Sequence, residues 1–134
     1  MKLSKRADYA LKAVAYISSL PEGALASIGE IAESQAAPRE FLAKVLKRLT
    51  SEKVLRSYQG IKGGYQLRKD PAEISYLEVI EAVDGELVFS DGAPSKNGKR
   101  NSPVQIQLSS FWEGMRNQCR RSLSEERFDK YKEK

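Results

Sequence analysis

The chain has 134 residues, a formal net charge of +5 at pH 7, one cysteine and no histidine. This length allows one ordinary core, or a small domain with an appended helix. The lone Cys119 cannot form an internal disulfide, and a sequence without histidine excludes a Cys/His metal site and a serine–histidine triad. With no apolar run of about 18 residues and no signal-like segment behind Met1, we expect a cytoplasmic protein without membrane contact.

The first half of the sequence predicts three helices. Apolar residues recur at helical spacing from Leu3 to Leu20, where Pro21 ends the pattern. A capping box at Ser27 predicts a short second helix through about Ser34. A third helix is expected to begin at Pro38. Its apolar face comprises Phe41, Leu42, Val45, Leu46 and Leu49.

The second half predicts a hairpin and further helices. Short strands at 54–58 and 65–67 flank a glycine-rich turn. A capping box at Ser75 starts a fourth helix that ends at Gly85. Residues 90–102 predict a loop, and Pro103 restarts a long helix. Ser124 is expected to cap a last short helix to about residue 131.

Three helices followed by a glycine-tipped hairpin is the order of a winged helix-turn-helix. We therefore predict a mainly α (α+β) fold with a winged helix-turn-helix DNA-binding domain over residues 1–85. A flexible loop over 86–102 and a dimerisation helix with a C-terminal tail over 103–134 complete the expected organisation.

The charge distribution agrees with a DNA-binding surface in the first half. Residues 1–69 carry 13 Lys/Arg and 6 Asp/Glu, whereas residues 70–134 carry 10 and 12. A basic module next to an acidic segment predicts one face that meets phosphate. Ordinary solvated charge explains the same distribution equally well.

The third helix is the expected reader of double-stranded DNA, because an α-helix fits the major groove. We expect Arg39 to reach base edges, the other helix cations to meet phosphates, and Lys62 on the hairpin to meet a phosphate or enter the minor groove. A plain solvated face, an ordinary turn and a core role for Tyr65 are the alternatives. The candidate DNA-binding residues are Ser4, Lys5, Arg6, Tyr9, Pro38, Arg39, Phe41, Lys44, Lys47, Arg48, Gln59, Gly60, Lys62, Gly63, Gly64 and Tyr65.

The last long helix carries an apolar stripe without an obvious partner in so small a chain. The spacing by threes and fours favours a homodimer interface. For Cys119, interface packing is a better interpretation than a thiol sensor. The predicted interface residues are Val104, Leu108, Phe111, Trp112, Met115, Cys119 and Leu123.

Four segments resemble the Rrf2 family of bacterial winged-helix transcription regulators. They are SKRADYAL at 4–11, IGEIA at 28–32, the Phe41–Leu42 and Val45–Leu46 pairs, and GIKGGYQL at 60–67. The hairpin motif is the most specific of them. The resemblance implies a dimer with crossing C-terminal helices on a roughly two-fold symmetric operator.

The sequence departs from that family where its sensor lies. Many members hold an iron-sulfur cluster with three loop cysteines, whereas this loop has Ser90, Ser95 and Ser102. Serine is a poor iron ligand, so we expect no cofactor in this sequence. The alternative is a cluster-based or redox regulator whose cysteines were replaced by serine. Gln59 and Ala43 replace an arginine and an acid common in the family, which predicts a different operator preference.

Two other classes of function compete with a DNA-binding regulator. Winged helices also serve as protein-interaction adaptors, and absence of salt-dependent DNA binding would favour that class. An enzyme is not expected, because the acids between Asp70 and Asp91 have neither a histidine nor a phosphate loop beside them.

Overall fold

The computed structural model describes residues 3–89 and 102–132, which contain five α-helices and one antiparallel two-stranded sheet. The elements follow the order of a winged helix-turn-helix with a long C-terminal helix, as the sequence predicts. In chain order they are α1 (Lys5–Ser19), α2 (Ile28–Gln35), α3 (Arg39–Ser51), β1 (Leu55–Tyr58), β2 (Gly64–Leu67), α4 (Tyr76–Asp84) and α5 (Pro103–Glu125), with 3-10 turns at Pro71–Glu73 and Asp129–Tyr131.

Serine hydroxyls begin four of these helices. Ser4, Ser27, Ser75 and Ser102 each accept a hydrogen bond from the backbone amide three residues later, at 3.0 to 3.1 Å. Each bond satisfies an amide that the helix itself leaves unpaired. The predicted caps at residues 27 and 75 are therefore confirmed. The third helix differs by one residue from the prediction, because Pro38 is its N-cap rather than its first helical residue.

The core forms where α1, α3 and α4 meet. The buried face of α1 is largely alanine, which lets the neighbouring helices approach closely. From α3 the core receives four of the five predicted apolar residues, and Phe41 is half-buried at its edge. The buried residues of α3 are Leu42, Val45, Leu46 and Leu49.

The hairpin, which we call the wing, is anchored at its base. Leu55 pairs with Leu67, and Tyr58 pairs with Gly64. Ala26, from the link between α1 and α2, exchanges two backbone hydrogen bonds with Tyr65 at 2.8 and 2.9 Å. A Cβ atom at Gly64 would lie 2.7 Å from the Ala26 carbonyl oxygen, so this close approach requires glycine.

The C-terminal tail packs on the winged helix. Phe128 is 1% exposed and lies 4.8 Å from the Tyr76 ring, between ring centroids. The Tyr76 amide donates to the Glu126 carbonyl at 3.0 Å. The pKa of Lys130 is raised because its ammonium group donates to the Glu126 carboxylate and contacts Tyr76.

The expected last helix from Ser124 to about residue 131 is wrong. Ser124 lies inside α5, where its hydroxyl donates to the Arg121 carbonyl at 2.7 Å instead of capping a new helix. After Glu125 the chain is extended and Arg127 bridges to Ser75. Because Arg127 is paired with Ser75, helical conformation resumes only in the 3-10 turn Asp129–Tyr131.

Polar contacts attach α5 to the end of α4. Arg120 pairs with Glu81, whose carboxylate also accepts from the Leu87 amide at 2.8 Å. Arg116 donates to the Leu87 carbonyl at 2.9 Å and pairs with Glu86. Across the described ranges, no helix is both long and apolar enough to cross a bilayer.

Replacing Phe128 with alanine tests whether the tail belongs to the core. We expect Phe128→Ala to lower the free energy of unfolding by about 3 to 5 kcal/mol, because a buried aromatic ring leaves a cavity. The control is Ile61→Ala, since that side chain is fully exposed and its loss should change stability by less than about 0.5 kcal/mol. If urea denaturation shows that Phe128→Ala loses no more stability than Ile61→Ala, the tail is not part of the core.

Candidate nucleic-acid interface

The two faces of α3 have opposite character. Its buried face belongs to the core, and its opposite face exposes Glu40, Lys44 and Lys47. Spacings of four and three residues place these three side chains on one side of the helix. The solvent face therefore offers two cations and one carboxylate to a partner.

Arg39 is exposed at the first turn of α3 and leans toward α2. A Cβ atom at Gly29 would overlap the Arg39 guanidinium group, so the bare backbone of α2 makes room for it. The guanidinium group thus lies beside the exposed face of α3 rather than at its centre. Its expected role in reading base edges stays a prediction.

Arg48 is held by other parts of the protein. Its Nε atom donates to the Ala82 carbonyl of α4 at 2.9 Å, and its terminal nitrogen lies 3.4 Å from a Glu52 oxygen. The side chain remains 55% exposed. Of the predicted α3 cations, Arg39, Lys44 and Lys47 have no ion pair within the described part of the chain.

The N-terminus of α1 presents a second group of predicted contacts beside α3. Lys5 is exposed, and Arg6 Nε lies 3.3 Å from Asp84 Oδ1 at the end of α4. The Ser4 hydroxyl caps α1 and donates to Asp84 Oδ2 at 2.5 Å. Ser4 and Arg6 therefore already hold an anionic side chain.

Tyr9 and Phe41 join α1 to α3. Their rings meet edge to face at 5.4 Å between centroids, and both residues are half-buried. Such a contact fixes the spacing between the two helices. The structure thus gives these predicted DNA contacts a packing role.

A groove of about 620 Å³ runs between α1, α3 and the end of α4. Three cations line it, and Asp84 is its one acid among the described residues. The lining residues are Arg6, Phe41, Lys44, Val45, Arg48, Val83, Asp84 and Gly85.

The wing tip is open to solvent. Gln59, Gly60 and Lys62 are exposed, and the Gly63 amide donates to the Gly60 carbonyl at 3.0 Å to close the turn. Gly60 has a φ of 112°, a conformation that favours glycine. The predicted contacts Gly63, Gly64 and Tyr65 are half-buried.

Sequence reasoning missed two exposed residues of this surface. Ile61 at the wing tip is fully exposed, and Glu40 lies beside the cations of α3. An isoleucine inside a glycine-rich turn was the available signal for the first. The four-residue spacing from Glu40 to Lys44 was the signal for the second.

The exposed end of α5 carries part of the predicted dimer stripe. Val104, Leu108 and Phe111 are 64%, 52% and 57% exposed, and α5 has no fully buried residue within its described length. Ile106, which the stripe omitted, is 56% exposed on another side of the helix.

The remaining stripe residues are half-buried by other parts of the same chain. Trp112 stacks on Phe89 at 6.4 Å between centroids, and Leu123 packs against the core. Met115 and Cys119 are also half-buried. Their assignment to a dimer interface stays a prediction.

Of the three loop serines, Ser102 is the N-cap of α5, and Ser90 and Ser95 lie outside the described residues. Within residues 3–89 and 102–132, no three His, Cys, Asp or Glu side chains come together as a possible metal site. The whole sequence offers one thiol and no imidazole. This donor set does not fit an iron-sulfur cluster.

Comparison with known proteins identifies relatives over nearly the whole chain. Residues 3–131 match the model of the Rrf2 family, described as an iron-dependent transcriptional regulator. An HTH-type transcriptional regulator of Mycobacterium tuberculosis is 28% identical over 93% of this chain and 77% of its own length. One from Aquifex aeolicus is 40% identical over 60% of this chain and 56% of its own.

Solved structures share the fold. CymR of Staphylococcus aureus is 27% identical, covers 94% of this chain and 93% of its own, and has a TM-score of 0.72. IscR of T. potens is 22% identical, with a TM-score of 0.78 over 97% of this chain and 85% of its own. At that identity the second likeness concerns the fold alone.

Replacing Gly63 tests how the wing tip is built. A Cβ atom there would overlap the Tyr58 carbonyl oxygen, so Gly63→Ala must displace backbone. We expect faster hydrogen exchange at the wing amides with unchanged exchange in α1 and α3, because the wing is a locally stabilised unit.

Gly114→Ala is the matched control, since nothing lies within 4 Å of an added Cβ there. Alanine in that helix should leave exchange at the wing unchanged and slightly stabilise α5. Unchanged wing exchange in Gly63→Ala would contradict the close contact with Tyr58.

Proposed function

Because the chain belongs to the Rrf2 family of transcriptional regulators, we propose that it acts as a homodimer on a two-fold symmetric DNA operator. The observation that carries this proposal is the exposed face of α3, which bears Lys44 and Lys47 opposite the face that packs in the core. Major-groove readers present this arrangement to B-DNA.

In this proposal α3 enters the major groove and its side chains divide the work. Lys44 and Lys47 neutralise phosphates, which provides affinity without sequence information. Arg39, at the first turn, donates to guanine, while the exposed Glu40 carboxylate accepts from a cytosine amino group. Base contacts from the first turn of α3 set the preferred sequence.

The wing lies along the adjacent minor groove. Lys62 supplies the cation there, and Gln59 supplies hydrogen bonds without charge. The fully exposed Ile61 side chain supplies an apolar contact with the sugar and base edges. The glycines at the tip allow the backbone to approach the sugar-phosphate surface.

Dimerisation uses the exposed apolar end of α5. A soluble monomer rarely leaves several large apolar side chains exposed together, and Val104, Leu108 and Phe111 are each more than half exposed. The helix has 23 residues, or about 35 Å, which is enough to cross a second copy. A two-fold dimer then places two α3 helices about 34 to 36 Å apart, in successive major grooves.

In this proposal, a protein with this sequence functions without an iron-sulfur cluster. Cluster iron in proteins is normally held by several thiolates, and Cys119 is the single thiol of the chain. Among the loop serines, Ser102 already serves as the α5 N-cap. Signal detection by this dimer therefore uses other chemistry.

Removing the wing cation tests the role of the wing. Lys62→Ala should weaken binding to a selected operator and to random duplex by similar factors, because a phosphate contact carries no sequence information. The plot of log affinity against log salt should become shallower by about 0.9. Fluorescence anisotropy over a salt series measures both quantities.

Lys130→Ala removes a cation from the C-terminal tail and serves as the matched control. Its affinity and salt slope should equal those of the wild type. A Lys62→Ala protein that keeps the wild-type slope would exclude a phosphate contact by the wing.

A charge placed on the exposed stripe tests the dimer. We expect Phe111→Glu to be monomeric at micromolar concentration, because a desolvated carboxylate without a partner is strongly unfavourable in an interface. Ile106→Glu is the control, since this side chain is similarly exposed but points about 140° away around α5. Sedimentation equilibrium should show a dimer for the control. The assignment of the dimer interface to Phe111 fails if Phe111→Glu and Ile106→Glu both keep the solution mass of the wild type.

A further inference from the structure

The carboxylate of Asp84 occupies an anion-binding position at the N-terminus of α1. Its Oδ2 atom accepts from the Ser4 hydroxyl at 2.5 Å, and its Oδ1 atom lies 3.3 Å from Arg6 Nε. The hydroxyl also accepts from the Ala7 amide in the first turn of the helix. The N-cap hydroxyl of α1 and a guanidinium group thus converge on one carboxylate.

Carboxylate and phosphate oxygens are recognised by the same donors. The Arg6 side chain is 61% exposed, whereas that of Asp84 is 23% exposed. Solvent can therefore reach Arg6, as can a DNA backbone that lies on the α3 face. The Asp84 carboxylate, by contrast, is mostly covered.

We propose that Asp84 is a built-in competitor for a DNA phosphate, holding Arg6 in the free protein and releasing it when DNA binds. This inference rests on the proposed function, because the competing ligand is the phosphate of the bound duplex. The exchange replaces one ion pair with another, so its effect is to lower affinity rather than to prevent binding.

Pairing with Asp84 occupies one of the three cations that line the groove. Arg6, Lys44 and Arg48 line the groove together with Asp84. Arg48 is already held by the Ala82 carbonyl and by Glu52. With Arg6 paired as well, Lys44 is the groove cation that has no ion pair in the described ranges.

Asp84 is the last residue of α4, close to the ion pair that joins α4 to α5. Gly85, with a φ of 80°, follows it directly and donates its amide to the Glu81 carbonyl at 2.9 Å. The Glu81 carboxylate in turn accepts from the Leu87 amide and pairs with Arg120, which belongs to α5. The residue that restrains Arg6 therefore lies three residues after Glu81, the α4 residue that pairs with α5.

The test is binding of a random-sequence duplex to Asp84→Asn over a range of salt concentrations. Asparagine keeps an oxygen for Ser4 but removes the charge that holds Arg6. We expect roughly threefold to tenfold tighter binding, because Arg6 no longer gives up an ion pair when it meets the phosphate, and a similar salt slope, since both proteins neutralise the same phosphates. In the Arg6→Ala background, Asp84→Asn should give no comparable gain.

Glu126→Gln is the control for simple loss of a negative charge. It also removes an exposed, ion-paired acid, but in the tail beside Tyr76 at the start of α4, about 12 Å along that helix from Asp84. Its binding should change much less than that of Asp84→Asn. Asp84→Ala, which lacks the new amide donor, is the second variant, and circular dichroism verifies the fold of each protein.

Three outcomes overturn the inference. In the first, wild type binds the duplex but Asp84→Asn and Asp84→Ala bind no more tightly than Glu126→Gln. In the second, the full gain persists without Arg6. In the third, wild type itself shows no salt-dependent binding, which refutes the proposed function and this inference together and is recognised from the wild-type titration alone.

Discussion

Burial of one face of α3 determines which of its side chains the candidate DNA-binding surface displays. Leu42, Val45, Leu46 and Leu49 are removed from water against α1 and α4, and each such side chain contributes about 1.5 to 3 kcal/mol. Rotating α3 by half a turn would expose these residues and bury lysines without partners, which is strongly unfavourable. The core therefore fixes which side chains α3 presents to solvent, and so which of them are available for the proposed DNA contacts.

The last turn of α4 joins this surface to the rest of the molecule. It contacts α3 through the Ala82 carbonyl, α1 through the Asp84 carboxylate and α5 through Glu81. Polar groups at a helix C-terminus are free for such contacts, because the last carbonyls have no partner within the helix. The helices α1, α3 and α5 thus share one support, so a change at α5 has a short physical route to α1 and α3.

Sequence predicts the parts of this molecule that depend on near neighbours. Serine caps act over three residues and the α3 face repeats every three or four, so both were predictable. The Ser4–Asp84 bond joins residues 80 positions apart, and Phe128 enters a core made mostly from the first 83 residues. Neither contact has a local signal. Ser124 misled the prediction because a serine inside a helix resembles an N-cap in sequence, although its hydroxyl bonds back to Arg121.

Selection of bound sequences from a random duplex pool tests the central claim most directly, because it requires both DNA reading by α3 and two-fold assembly through α5. The account predicts enrichment of an inverted repeat whose half-site centres lie about 10 to 10.5 base pairs apart, or a multiple of that distance. Enrichment of a single, asymmetric site, or no enrichment above the unbound pool, would contradict it.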